Sequence, residues 1–256
     1  MNAVTSAVPP VSAVAADVAA AVPAHVPFVN QLTVTLPAGA GAFDGPCVFA
    51  TVTLSARYFD IVKDRLYTYA PRSLARRSAQ TALHNIADSL ARLLAPILVF
   101  TADEVWENLP AAKEAQPSVH LMTFPSVSGE DNATLLQNWT ALFAIRDEVL
   151  RALEVARIAK EIGSSLEAKV TLSASGKTLE LLRQYANDLR YIFIVSEVEL
   201  VEFADGDVSI KVSTADGQKC ERCWNYSTRV GESAKYPTVC ERCVAALEEI
   251  ESEHRH

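Results

Sequence analysis

A chain of 256 residues, half of them hydrophobic, can bury a real core and hold one large or two to three small domains. Its formal net charge of −8 excludes a uniformly basic nucleic-acid-binding surface, so any contact with a polyanion must come from a local cluster. No stretch approaches the roughly 20 apolar residues of a membrane span, and the Ala/Val-rich start lacks the basic region of a secretory signal, which points to the cytoplasm.

The first 56 residues contain no lysine or arginine, and all 23 basic residues lie from Arg57 onward. Within this leader, residues 1–55, the low-complexity stretch Met1–Pro27 shows neither a helical stripe nor strand alternation and is expected to be mostly disordered. QLTVTLP and CVFATVTL flank the turn-forming AGAGAFDGP and would suit a short hairpin, itself marginally stable. From Arg57 the pattern turns helical. Tyr58, Phe59, Ile61, Val62, Leu66 and Tyr69 recur near the helical period up to Pro71, and a second stripe runs from Leu74 to Leu94 until Pro96 ends or kinks it. Thr101-Ala-Asp-Glu104 has capping-box spacing and predicts a short helix with Val105 and Trp106 that closes before Pro110. Residues 109–129 read as a connecting loop. A small mixed domain over 130–214 follows: a long amphipathic helix Leu135–Ile162 ended by Gly163, a strand Ala168–Ala174, a helix Lys177–Leu189, and strands Tyr191–Phe203 and Val208–Val212 joined through Asp205-Gly206.

The clearest chemistry lies at 217–247. Cys220-Glu-Arg-Cys223 and Cys240-Glu-Arg-Cys243 are two C-x-x-C turns separated by sixteen residues, and each can aim two thiolates at one ion. With all four positions filled by cysteine, one structural Zn2+ is predicted, with no site left for an activated water. In a reducing compartment a disulfide framework is disfavoured, and the fifth cysteine, Cys47, has no partner in any pairing scheme. Lys219, Arg222, Arg229, Lys235 and Arg242 would balance the charge of a tetrathiolate centre and could also touch phosphate. Trp224 and Tyr226 offer rings that either stack on unpaired bases or cover the knuckle's own core.

A second candidate surface is the segment Arg57–Arg92, where Arg57, Lys63, Arg65, Arg72, Arg76, Arg77 and Arg92 stand against Asp60, Asp64 and Asp88 for a net of +4. Arg72, Arg76 and Arg77 sit about one helical turn apart near a helix start and can point at one stretch of phosphates, although a solvated helix face has the same pattern. The histidines are scattered, His84 reads as a helix residue, and no glycine-rich phosphate loop or nucleophile elbow appears. No catalytic residue is assigned.

Several stretches in order resemble the carboxyl-terminal region of bacterial isoleucyl-tRNA synthetases. They are Tyr58–Leu83, Leu93–Pro110, Ser118–Pro125, Ile162–Leu172 and Ile192–Leu200, then KCERCWNYSTRVG and PTVCERC, and they span most of the chain from Leu54 to Leu247. The resemblance implies a mainly α architecture. A partial helical anticodon-binding domain, 56–112, would be followed by the small α+β domain and the zinc knuckle as the family's carboxyl-terminal zinc finger. It further implies that the partner is the anticodon stem-loop of the isoleucine tRNA, with Arg72, Arg76, Arg77, Arg222, Trp224 and Arg242 as contacts. The family's His-x-Gly-His and Lys-Met-Ser-Lys-Ser signatures for ATP are absent, as is room for an editing insertion. The expectation is therefore a fragment inactive alone, or one paired with a separate catalytic chain. The alternatives are a free-standing RNA-binding module and a DNA-binding zinc finger of the glycosylase type, which shares the cysteine spacing but needs an amino-terminal proline nucleophile where this chain reads Met1-Asn2-Ala3.

Overall fold

The computed structural model describes residues 49–110, 116–126, 133–203 and 208–253. The Met1–Pro27 leader, the strand expected at QLTVTLP, Cys47 and the Asp205-Gly206 link lie outside them. The described residues form two compact units, one drawn from 72–126 and the other from 49–71 together with 133–253. The expected helical domain over 56–112 is thereby divided at Pro71.

In the first unit, α2 (Leu74–Leu94) opens at Ser73, whose hydroxyl accepts from the Arg76 backbone N–H at 3.4 Å. Its buried residues are small: Ser78, Ala79, Ala82 and Ala91. The helix stops ahead of Pro96, as the proline requires. α3 (Val99–Asn108) begins two residues before the predicted capping box. Leu98 takes the cap position without a side-chain bond, so Thr101 lies inside the first turn and the box does not form. Asp103 instead accepts from the Ser118 hydroxyl at 2.6 Å and the Val119 N–H at 3.1 Å, while the Trp106 indole donates to the Gln116 carbonyl at 3.0 Å. These bonds fasten the 3-10 turn Val119–Leu121 to α3, and Ala91, Ala95, Ala102, Trp106 and Val119 form the core beneath.

In the second unit, a π-helical segment, Phe49–Phe59, leads into α1 (Asp60–Thr68). This corrects the second half of the expected hairpin. The β-prone Thr51-Val-Thr-Leu54 is helical because Phe49, Leu54, Tyr58, Ile61 and Val62 then share a buried surface. α4 (Ala133–Ile158) buries Leu142, Ile145, Val149, Leu153 and Ala156 at helical spacing. It ends at a left-handed Lys160 rather than at Gly163, whose N–H instead donates to the Glu167 carboxylate at 2.8 Å.

A 3-10 turn, Ser165–Glu167, enters β1 (Ala168–Ala174), which alternates between buried and half-buried positions as expected. α5 (Gly176–Gln184) and α6 (Ala186–Phe193) then cross to β2 (Glu197–Glu202), parallel to β1, and β3 (Ser209–Thr214) lies antiparallel on the other side of β1. The sheet order is β2-β1-β3, so the two strands read as neighbours in sequence flank β1 and do not pair. The strand expected from Tyr191 starts only at Glu197. Leu189, Ile192 and Phe193 keep a buried helical stripe, and Ile194 turns the chain in the left-handed region at φ 58°. The core joins α4, the inward face of β1, and α5 and α6.

No helix among the described residues is long and apolar enough to cross a membrane.

Candidate zinc centre and nucleic-acid interface

The knuckle is built on a two-stranded hairpin, β4 (Gln218–Lys219) against β5 (Tyr226–Ser227), with the first cysteine turn at its tip. Gly217 enters β4 at φ 89°, and a Cβ there would lie 2.3 Å from the Ser227 backbone, so only glycine fits. The turn is closed by Cys220 N–H to the Asn225 carbonyl at 2.9 Å and Trp224 N–H to the Cys220 carbonyl at 2.8 Å. The second pair straddles the start of α7 (Glu241–Glu253), where the helix dipole favours thiolates. Glu221 N–H donates to the Thr238 carbonyl at 3.1 Å and ties the two turns together.

Cys220, Cys223, Cys240 and Cys243 are buried, free of disulfides, and their sulfurs lie within 4.8 Å of one another. The Cys223 and Cys240 sulfurs are 3.7 Å apart. A tetrahedral ion with bonds of about 2.3 Å to sulfur places its ligands about 3.8 Å apart, so the cluster fits zinc. Among the described residues it is the one such metal-competent group. The Cys240 N–H donates to Cys220 Sγ at 3.3 Å, and Arg222 Nη1 lies 3.6 Å from Cys243 Sγ, so both supply charge compensation to the sulfurs. Hydrogen bonds from Cys240 and Cys243 favour the thiolate at Cys223. With four sulfurs as ligands, the site can hold a fold together and offers no open position for catalysis.

Two of the predicted RNA contacts turn inward. Arg242 pairs through both terminal nitrogens with the Asp64 carboxylate of α1, Nη2 to Oδ1 at 3.0 Å, with its guanidinium 5.1 Å from the centre of the Tyr69 ring. Arg222 donates to the Thr68 carbonyl at the end of α1. Ser196 completes the attachment, donating to the Leu166 carbonyl and accepting from the Tyr226 N–H at 2.7 Å. The phenols of Tyr69 and Tyr191 meet at 2.6 Å, and burial pushes Tyr191 well above the usual phenol range. The basic residues of the knuckle thus serve partly to dock it on α1. Asp64, 178 residues from Arg242, gives no local sign of this role.

The expected basic face of Arg57–Arg92 is likewise broken up. Arg57 faces Asp147, Lys63 pairs with Asp60 at 3.0 Å, Arg65 is buried on Asp188, and Arg92 pairs with Asp88. Arg57, Lys63 and Arg65 belong to one unit, and Arg72, Arg76, Arg77 and Arg92 to the other. Arg72 precedes the Ser73 cap, and Arg76 and Arg77 lie in the first turn or so of α2, Arg72 and Arg77 exposed and Arg76 half-buried. That turn contains no acidic residue. Trp224 is 61% exposed, held at φ 66°, with the Lys219 ammonium 5.3 Å from its ring centre. It does not cover the knuckle core, which is filled by Val230, Tyr236, Val239, Val244 and Leu247.

Residues 47–172 match the family described as the anticodon-binding domain of tRNA ligase, and residues 217–246 match the zinc finger found in FPG and IleRS. The isoleucine–tRNA ligase of Syntrophotalea carbinolica is 49% identical over 78% of this chain, and those of Gloeobacter violaceus and Geobacter sulfurreducens are 48% and 46% identical over the same share. The chain spans about a fifth of the length of these relatives, 22% of the first and third and 21% of the second. The chain is therefore related over most of its length to the isoleucine–tRNA ligases, joining an anticodon-binding domain of the tRNA-ligase type to an IleRS-type zinc finger.

Proposed function

We propose that this chain binds the anticodon stem-loop of the isoleucine tRNA in cytoplasmic protein synthesis, with one zinc ion held by Cys220, Cys223, Cys240 and Cys243. The observation that carries the reading is the display of Trp224. A large aromatic side chain is exposed beside the buried cysteine cluster, held in a left-handed backbone conformation with a lysine over its ring. Such a ring stacks on the unpaired bases of an RNA loop. The start of α2 supports the same reading. Arg72, Arg76 and Arg77 stand together at the start of a helix, whose N-terminal dipole favours an anion such as a phosphate. Arg222 and Arg242 act in this reading by docking the knuckle on α1 rather than by gripping phosphate. The zinc would supply folding energy, with no chemical step assigned to it.

The zinc finger by itself suits either a glycosylase or a synthetase, as its family description says. The anticodon-binding match over 47–172 favours the RNA reading. Aminoacylation lies outside the proposal, which concerns RNA binding by these residues alone.

The test is fluorescence anisotropy of labelled isoleucine tRNA against an unrelated tRNA of equal length, repeated between roughly 50 and 200 mM salt, the range over which phosphate contacts are read. We expect tighter binding of the isoleucine tRNA by about tenfold or more. Alanine at Arg72 or Arg77 should weaken both tRNAs alike and lower the salt slope by about 1 for each arginine removed from a phosphate. Equal affinity for the two tRNAs would refute the assignment.

A further inference from the structure

The alternating segment QLTVTLP, Gln31–Pro37, is without the partner its sequence suggests, because the residues from Phe49 that would complete a hairpin are helical. A strand with one apolar face needs that face and its backbone covered. The sheet of the α+β unit, to which Phe49 also belongs, offers a free edge, since β3 pairs with β1 alone. Ala215 N–H donates to the Glu167 carbonyl at 2.7 Å, and hydrogen-bonded pairs alternate along an antiparallel ladder, so Ser213, Lys211 and Ser209 bond to β1. The N–H groups of Ile210 and Val212 therefore point to the open edge.

Beside that edge, α4 and β3 border a shallow groove of about 360 Å³ lined by Ala152, Val155, Ala159, Ile210 and Val212. Val155 is 68% exposed, and Ile158, one turn on, is 72% exposed. Large apolar side chains left in water on a helix that otherwise packs against the sheet mark a face for more chain to cover. The opposite edge of the sheet is unlike it. β2 carries Glu197, Glu199 and Glu202, charges of the kind that keep an edge from pairing, whereas β3 carries the single charge of Lys211.

We infer that Gln31–Pro37 adds to the free edge of β3 as a fourth strand. Its period of two suits both faces of the site. With Leu32, Val34 and Leu36 turned toward α4, they cover Ile210, Val212 and Val155, while Gln31, Thr33 and Thr35 continue the polar row of Ser209, Lys211 and Ser213. The segment has no charge to bury and no proline before Pro37, so each residue ahead of Pro37 can donate to the ladder. The connection is long enough. Arg57 lies 4.0 Å from Asp147, α4 rises about 12 Å from there to Val155, and Phe49–Arg57 adds at most about as much again. Residues 38–48 span up to about 40 Å when extended. The match to the anticodon-binding domain of tRNA ligase starts at residue 47, so the added strand belongs to this chain's own leader. In that position it closes the edge against pairing with a second copy. The pairing needs nothing from the RNA-binding reading.

The test is amide hydrogen exchange, read by nuclear magnetic resonance on the isotopically labelled full chain with zinc bound. In the parent, the Ile210 and Val212 amides should exchange about a hundredfold more slowly than free amides. The Val34 methyls should also show Overhauser contacts with those of Ile210 or Val212. Val34→Asp should free both amides while those of Lys211 and Ser213, bonded to β1, stay slow, which separates loss of the added strand from loss of the sheet. Thr33→Asp, on the solvent side, should keep the protection. Fast exchange at Ile210 and Val212 in the parent, or protection that survives Val34→Asp, would overturn the pairing. Protection lost only on dilution would assign the edge to a second copy instead. Absence of the Val34 contacts in the parent overturns it whatever the variants do.

Discussion

The two units of this molecule solve the problem of burial differently. The α+β unit closes its core around large residues such as Leu142, Leu172, Leu182 and Phe193, and converts most of its interior charge into pairs, Arg65 with Asp188 and Arg242 with Asp64. Its buried Arg146 is held by the Ile192 carbonyl and Asp60, and burial lowers its pKa. Among the described residues of the helical unit, Ala91, Ala95, Ala102, Trp106 and Val119 form a core cluster and Ser78, Ala79 and Ala82 are also buried, while Ile97, Leu98, Phe100, Leu121 and Phe124 are exposed, Phe100 at 90%. Exposed apolar side chains of that kind suit contact with more protein, and among the described residues this alanine-rich cluster buries less apolar surface than the core of the α+β unit. Among the described residues, one unit is therefore held chiefly by large apolar side chains, and the other by small ones together with the side-chain bonds of Asp103 and Trp106.

Removing the metal challenges this contrast most severely. Stripping zinc with a chelator, or making Cys240→Ser, should destabilise the α+β unit by at least about 4 kcal/mol, the linkage expected for a ligand held at a thousand times its dissociation constant. The effect should reach beyond the knuckle, because Arg222 touches both Cys243 and the end of α1, and Arg242 lies on the helix that carries Cys243. Denaturation followed at Trp139, which packs against the α+β core, should shift to lower denaturant. The Trp106 signal should not follow it. A common shift of both tryptophans would show that the two units fold as one, and an unmoved Trp139 would make the knuckle an appendage.

A smaller effect is expected from the docking pair alone. Asp64→Asn keeps the shape of the side chain but removes the charge that faces Arg242, both groups being less than a quarter exposed. A charge-assisted hydrogen bond of this kind contributes about 1.5–3 kcal/mol, so a loss of about 2 kcal/mol is expected with zinc still bound. A double-mutant cycle with Arg242→Met, read by chemical denaturation, checks it. A coupling energy near zero would mean that the knuckle is seated by Ser196 and Arg222 without this pair.

The parts legible in the sequence are those fixed by short-range pattern. β1 occupies the predicted Ala168–Ala174, α2 the predicted Leu74–Leu94, and the four cysteines meet as their spacing requires. What escaped was decided at long range. Phe49–Phe59 is β-prone by composition, yet it is helical because that places Phe49, Leu54 and Tyr58 in a buried surface. Ile192-Phe-Ile-Val195 is an apolar run too short for periodicity to settle, and it divides between a helix end and a left-handed turn. The Thr101 box failed because Leu98 starts the helix earlier and Asp103 bonds to residues 15 and 16 positions away. Arginines at candidate phosphate positions look alike in sequence, whether they are exposed as Arg77 is or held on an aspartate as Arg242 is.

The least of the effects concerns the helical unit, where it is the more informative for being small. Ser73→Ala removes the one side-chain cap of α2 and leaves the Arg76 N–H without its acceptor. The bond is long at 3.4 Å, so the loss should lie at the low end of the usual range for caps, about 0.5–1 kcal/mol. In the helical unit this should register as a lower midpoint for the Trp106 signal, since an alanine-rich core holds little reserve. The Trp139 midpoint should stay in place. Ser73→Asp would restore the acceptor and add a negative charge where the helix dipole and three arginines favour one, raising the Trp106 midpoint above that of the parent. If Arg72, Arg76 and Arg77 hold an RNA phosphate at that helix start, the same aspartate should compete with it and weaken tRNA binding. Higher stability together with unchanged affinity would separate the arginine cluster from the RNA.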